Sequence, residues 1–195
     1  MPPLVYFLRH GQTDWNAEER LQGQADTALN ALGRSQARRN GERLAGLIAA
    51  PQDFDFVASP LLRTRQTMEL ARAAMGLDAG AYRTDARLME LNFGDWQGFT
   101  FAELERRVPG AERLRDLDKW DFRPPGEDAE SYQMLMQRVR PFVRALATPT
   151  VCVTHGGVIR ALFRLVGGVP KVVAASLDVP QDKVLRLADG RLEWL

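Results

Sequence analysis

The chain has a single cysteine, Cys152, and only two histidines among 195 residues. One thiol excludes any intrachain disulfide, and its place inside an apolar run makes a small buried core residue its expected role. No stretch of about 20 apolar residues occurs, and residues 1–30 lack a basic start followed by an apolar run and a cleavage site. Neither a membrane helix nor a secretion signal is therefore expected, and the expected compartment is the cytoplasm. Charge of one sign is not in excess either, since 26 basic against 25 acidic side chains leave a formal net charge of +1. That balance gives no field to steer nucleic acid or an anionic membrane, so attraction for anions has to be local. Two histidines and one cysteine also make a poor donor set for zinc.

A length of 195 residues with 45% hydrophobic content suits one domain, residues 1–195, with a substantial core. Apolar runs of strand length alternate with helical patterns, which points to an α/β layer with parallel pairing. Residues 4–8 form the first expected strand. Asn30 caps an expected helix whose Ala37, Gly41, Leu44 and Ile48 share a face, and Pro51 closes it. Residues 54–58 read as a second strand, followed by Ser59 as a helix cap and Pro60 as the first helical residue. A longer amphipathic helix begins near Asp128, with Tyr132, Leu135, Met136, Val139, Val143 and Leu146 on one face and a kink expected at Pro141. A strand at 150–154 and a helix ending near Gly167 come next, and Lys183 to Leu187 read as an edge strand. Residues 91–127, with the turn-prone run Arg123-Pro124-Pro125-Gly126, read as an excursion over the site. Trp96, Phe99 and Phe101 within it are expected to serve packing.

Both histidines stand directly after an apolar run and directly before glycine, as Leu8-Arg9-His10-Gly11 and Val153-Thr154-His155-Gly156. In parallel α/β sheets ligands bind outside the carboxyl ends of the strands, so three strand ends converge. The first delivers Arg9 and His10, the second leads to Arg63 in the first turn of its helix, and the third delivers His155 at a helix start. Helix N-termini and arginine forks together suit a dianionic phosphate. A histidine attacks phosphorus only as neutral imidazole, and His10 is the candidate nucleophile. His155 is the candidate donor to the phosphoryl oxygens, and Glu90 the acid that gives the leaving alkoxide its proton. Each of these residues taken alone reads equally as a structural histidine, a surface arginine or a solvated carboxylate. Their joint placement carries the chemical reading.

The segments around them resemble a known family. Leu8-Arg9-His10-Gly11-Gln12-Thr13-Asp14-Trp15-Asn16, Arg20-Leu21-Gln22-Gly23 and Leu29-Asn30-Ala31-Leu32-Gly33 are similar to the opening motifs of the histidine phosphatase superfamily, also called phosphoglycerate mutase-like. Ser59 to Thr67, Glu90 to Gly98, Arg123 to Glu127 and Thr154 to Arg160 resemble its later motifs, in the family's order. The resemblance implies a three-layer α/β/α sandwich with a mainly parallel central sheet. It implies phosphorylation of His10, a phosphate pocket of Arg9, Arg63 and His155, and Glu90 as proton donor. It also places Asn16, Gln22, Gly23 and Gly156 around phosphate or substrate, with no metal.

The family divides into mutases and phosphatases, and this chain resembles the shorter phosphatase-like members. The continuation Phe93-Gly94-Asp95-Trp96-Gln97-Gly98 is theirs, and the region between Glu90 and His155 lacks the longer insertion of glycolytic mutases. The expected function is thus a phosphomonoesterase for small phosphorylated metabolites, needing no cofactor and acting as a monomer or homodimer. The alternatives are a phosphoglycerate mutase primed by 2,3-bisphosphoglycerate, a catalytically silent phospho-ligand binding module, and a phosphatase of phosphorylated proteins.

Overall fold

The computed structural model describes residues 3–195. Among them six strands form one sheet: β1 (Val5–Arg9), β2 (Asp55–Ala58), β3 (Arg83–Thr84), β4 (Thr150–Thr154), β5 (Val184–Ala188) and β6 (Arg191–Trp194). Their order across the sheet is β3-β2-β4-β1-β5-β6. The pairs β3/β2, β2/β4 and β4/β1 are parallel, whereas β5 runs antiparallel to β1 and to β6. Eight helices accompany it: α1 (Asp14–Ala17), α2 (Ala31–Leu47), α3 (Leu62–Ala74), α4 (Phe101–Arg107), α5 (Ala111–Leu117), α6 (Tyr132–Arg144), α7 (Gly156–Leu165) and α8 (Lys171–Ser176).

Alternation along the central strands divides the core between two faces. Val5 and Phe7 of β1 and Cys152 of β4 join Leu135, Met136 and Val139 of α6, Ile159 and Leu162 of α7, and Ala174 and Ala175 of α8. Tyr6, Leu8, Val151 and Val153 face the other way, onto Leu44 of α2 and Met68 and Ala71 of α3. Helices on both faces of a sheet buried on both sides give the expected three layers. Cys152 is fully buried, and that burial pushes its thiol pKa up. Among the described residues no helix is long and apolar enough to cross a membrane.

Residues 91–127 supply most of a smaller apolar cluster, in which Trp96, Leu104 and Ala111 pack with Leu21, Phe93, Phe99, Phe101 and Phe122. Trp120 instead joins the main core, stacked on Tyr132 with ring centroids 5.5 Å apart. The aromatics of this segment serve packing, as expected.

Three expectations need correction. The strand near Lys183 is not at the edge: β5 lies between β1 and β6, because Asp189 and Gly190, at φ of 50° and 74°, turn the chain back into a final hairpin strand. Ser59 does not cap the helix after β2, since α3 starts later, at Leu62, with Leu61 at its cap position and no side-chain cap. The amphipathic helix begins at Tyr132 rather than near Asp128, with the Ser131 side chain accepting the Met134 N–H. Pro141 lies near its end, and the helix runs on to Arg144. The Asn30 cap is as read, its side chain accepting the Gly33 N–H at 2.9 Å.

Candidate active site

The parallel ladder continues one residue past β1 and β2 and brings His10, His155 and Ser59 to one end of the sheet. His10 N–H donates to the Thr154 carbonyl at 2.9 Å, and Ser59 N–H donates to the Val153 carbonyl at 3.0 Å. His10 is thereby level with His155, while Ser59, the first residue after β2, is level with Thr154, one residue before His155. The two imidazoles meet edge to face, with centroids 5.2 Å apart and planes at 60°. Both rings are buried.

His10 Nδ1 lies 2.8 Å from the carbonyl of Gly11. A carbonyl can only accept, so the hydrogen sits on Nδ1 and the lone pair on Nε2. Burial, then the Arg63 and Arg9 cations, hold the ring well below the usual histidine range, so it is neutral at pH 7. The backbone around it is tied down from two sides. Gly11 N–H donates to Thr67 Oγ1 at 3.0 Å, and Gln181 Nε2 donates to the His10 carbonyl at 3.0 Å. Gln181 Nε2 also donates to Asn16 Oδ1 at 3.2 Å, while its own carbonyl accepts from Asn40 at 2.9 Å.

His155 Nε2 lies 2.8 Å from Ser59 Oγ, and its Nδ1 is buried without a partner. Burial is again the main cause of its depressed pKa, followed by Arg63, His10, Arg9 and Arg138.

Arg63 is fully buried, and its two terminal nitrogens donate at 2.7 Å to the carbonyls of Ala25 and Gly23. Burial pulls its pKa down to about 10, which leaves it charged at neutral pH. Arg9 donates to the Val179 carbonyl at 2.6 Å. The Nε atoms of both arginines are buried and unpartnered. Glu90 accepts the Leu91 N–H at 2.9 Å and the Gly157 N–H, near the start of α7, at 3.0 Å. A Cβ at position 157 would overlap Glu90 Oε1, so only glycine lets the carboxylate approach this helix end.

Asn16 joins the cluster through Gln181, Gly23 through Arg63, and Gly156 by lying against the Arg9 and Arg160 guanidinium groups. Gln22 is buried, with its amide oxygen taken by the Thr27 hydroxyl at 2.7 Å. Sequence reasoning missed Ser59 as a partner of His155, although its place straight after a strand matches that of both histidines. It also missed Thr67, Gln181 and Arg138, for which no local signal exists. Among the described residues no three His, Cys, Asp or Glu side chains gather as metal donors.

Neutral imidazole beside fixed positive charge is the chemistry of phosphoryl transfer, and at the strand ends of this sheet it defines an enzyme acting on phosphate esters. The chain belongs to the histidine phosphatase superfamily (branch 1), whose model matches residues 5–189. It is similar to the glucosyl-3-phosphoglycerate phosphatase of Mycolicibacterium vanbaalenii, with 39% identity over 85% of this chain and 75% of the relative. Phosphoglycerate mutase-like protein 4 of Arabidopsis thaliana is 34% identical over 95% of this chain and 80% of the relative. Among solved structures, mycobacterial glucosyl-3-phosphoglycerate phosphatase complexed with VO3 superposes with a TM-score of 0.80 at 33% identity, covering 99% of this chain and 96% of that one.

Proposed function

We propose that this chain hydrolyses phosphate monoesters of small metabolites through a phosphohistidine at His10. The observation that carries the reading is the commitment of His10 Nδ1 to the Gly11 carbonyl, which leaves Nε2 as the nucleophile of a neutral ring. Nε2 attacks phosphorus and the ester P–O bond breaks. The leaving alkoxide takes a proton from Glu90, and in the second half-reaction Glu90 takes a proton from the attacking water while the N–P bond breaks. Phosphate then departs, and His10 returns to its neutral state.

Arg9 and Arg63 hold the phosphoryl oxygens, with their unpartnered Nε atoms as spare donors. His155 assists from Nδ1 when the Ser59 hydroxyl donates to its Nε2, an arrangement that puts the hydrogen on the unpartnered nitrogen. Asn16, Gln22, Gly23 and Gly156 line the phosphate and its ester group. Residues 91–127 cover the site. No metal is required, so EDTA leaves the rate unchanged. The partner is a small phosphorylated molecule, not nucleic acid or membrane, met in the cytoplasm by a monomer or homodimer.

Relatives named as phosphatases, at 38–39% identity, support hydrolysis over mutase activity. Relatives named as mutases or mutase-like, at 33–34% identity, favour the second reading, a phosphoglycerate mutase. An assay with 3-phosphoglycerate, with and without 2,3-bisphosphoglycerate, separates them. Free phosphate without 2-phosphoglycerate supports the phosphatase, and primer-dependent isomerisation overturns it.

A further inference from the structure

Glu90 sits within an irregular stretch, residues 89–93, that belongs to no helix or strand. Its carboxylate nevertheless has to stay within reach of the leaving oxygen, because proton transfer is sensitive to sub-ångström misplacement. Something outside the local backbone must hold this stretch. The structure assigns that task to Arg138 of α6, which we infer to be a positioning residue for Glu90.

The Arg138 guanidinium has all five of its N–H donors occupied. Nε and Nη2 form a fork on the Glu130 carboxylate, at 2.8 and 2.7 Å. Nη1 donates to the carbonyls of Arg87 and Met89 at 2.9 and 3.0 Å, and Nη2 also donates to the Glu90 carbonyl at 3.1 Å. Three carbonyls of the stretch that delivers Glu90 thus converge on one planar cation. Glu130 completes the brace by accepting the Asn92 N–H at 3.1 Å, while its own N–H donates to the Asn92 carbonyl at 2.8 Å. Residues 87–92 are therefore pinned on both sides of Glu90, and both members of the Arg138–Glu130 pair are mostly shielded from solvent. Lysine, with three donors around a point charge, lacks the geometry to serve five acceptors in a plane.

The inference rests on Glu90 as the proton donor, so its test uses a Glu90 control. Rates are measured on an alkyl phosphate, whose leaving group needs a proton, and on p-nitrophenyl phosphate, whose leaving group needs it far less. Arg138→Met is expected to lower kcat on the alkyl ester by roughly ten- to a hundredfold, the usual range for loss of a supporting hydrogen-bond partner. On the aryl ester the loss should stay within about threefold. Arg138→Lys should fall between the two and covers the case in which the Met variant fails to fold. The double variant Glu90→Gln/Arg138→Met should be no slower on the alkyl ester than Glu90→Gln alone, because both act on one step. Equal losses of Arg138 variants on both esters, beside a Glu90→Gln variant that discriminates between them, overturn the positioning role alone. If Glu90→Gln itself does not discriminate, the proton-donor reading fails and the inference falls with it.

Discussion

His10 and His155 meet edge to face at 5.2 Å although 145 positions separate them in the chain, because each directly follows one of two adjacent parallel strands, β1 and β4. The pairing Arg9↔Thr154 at the end of that ladder sets the distance. Two buried imidazoles in contact, beside the buried Arg63 guanidinium and the half-buried Arg9, tolerate no further positive charge, and both rings are held neutral.

That neutrality makes stability depend on pH. In the unfolded chain each histidine titrates near its ordinary 6.5, while in the fold its pKa lies well below, so below pH 6.5 the unfolded state binds protons the native state refuses. Stability is full above that value and is lost as pH falls through it. Between pH 7.5 and 5.5 the two rings together account for a loss of at most about 3 kcal/mol. Urea unfolding at the two pH values checks this, with a His10→Gln/His155→Gln double variant expected to lose the dependence. The window lies above the range in which the depressed carboxylates Asp85 and Glu103 titrate.

Ser59→Ala removes the one hydrogen-bond partner that the His155 ring has among the described residues. The ring is then free to hold its hydrogen on either nitrogen and to rotate. The expected result is a kcat lower by roughly ten- to a hundredfold, in the range seen when an orienting partner of a functional histidine is lost. Circular dichroism should show the fold retained, and steady-state kinetics should place the loss in kcat.

Arg63 differs from an ordinary surface arginine in having no exposed surface and in bonding the Gly23 and Ala25 carbonyls. Arg63→Lys keeps the charge and loses the planar fork. Inhibition by inorganic phosphate should weaken by roughly 30-fold or more, the equivalent of one or two charge-assisted hydrogen bonds. Measuring the inhibition constant for phosphate in both proteins checks it.

Much of this was legible along the chain, and the reason is local. Strands β1, β2 and β4 are short apolar runs closed by Arg9-His10, Ser59-Pro60 and His155-Gly156, and the rule that parallel sheets bind at strand ends brings these together. Asn30 announces α2 through a cap that needs only three residues to form. What escaped depends on distant partners. Ser59 has the composition of a helix cap, and only the neighbouring strand β4 turns its hydroxyl to His155. Gln181 reaches His10 across 171 positions, and Arg138 reaches Glu90 across 48. β6 lacks a buried run of its own, being half exposed at the sheet edge, and is defined by its pairing with β5.

In the proposed reaction the phosphoryl group passes through His10. The direct measurement is an acid-free rapid quench of enzyme with phosphate-labelled substrate, followed by peptide mass spectrometry. The expected result is a phosphoryl group on His10, stable to alkali, labile to acid and absent from a His10→Ala variant that remains folded. Turnover by His10→Ala, or label on any other residue, would contradict it.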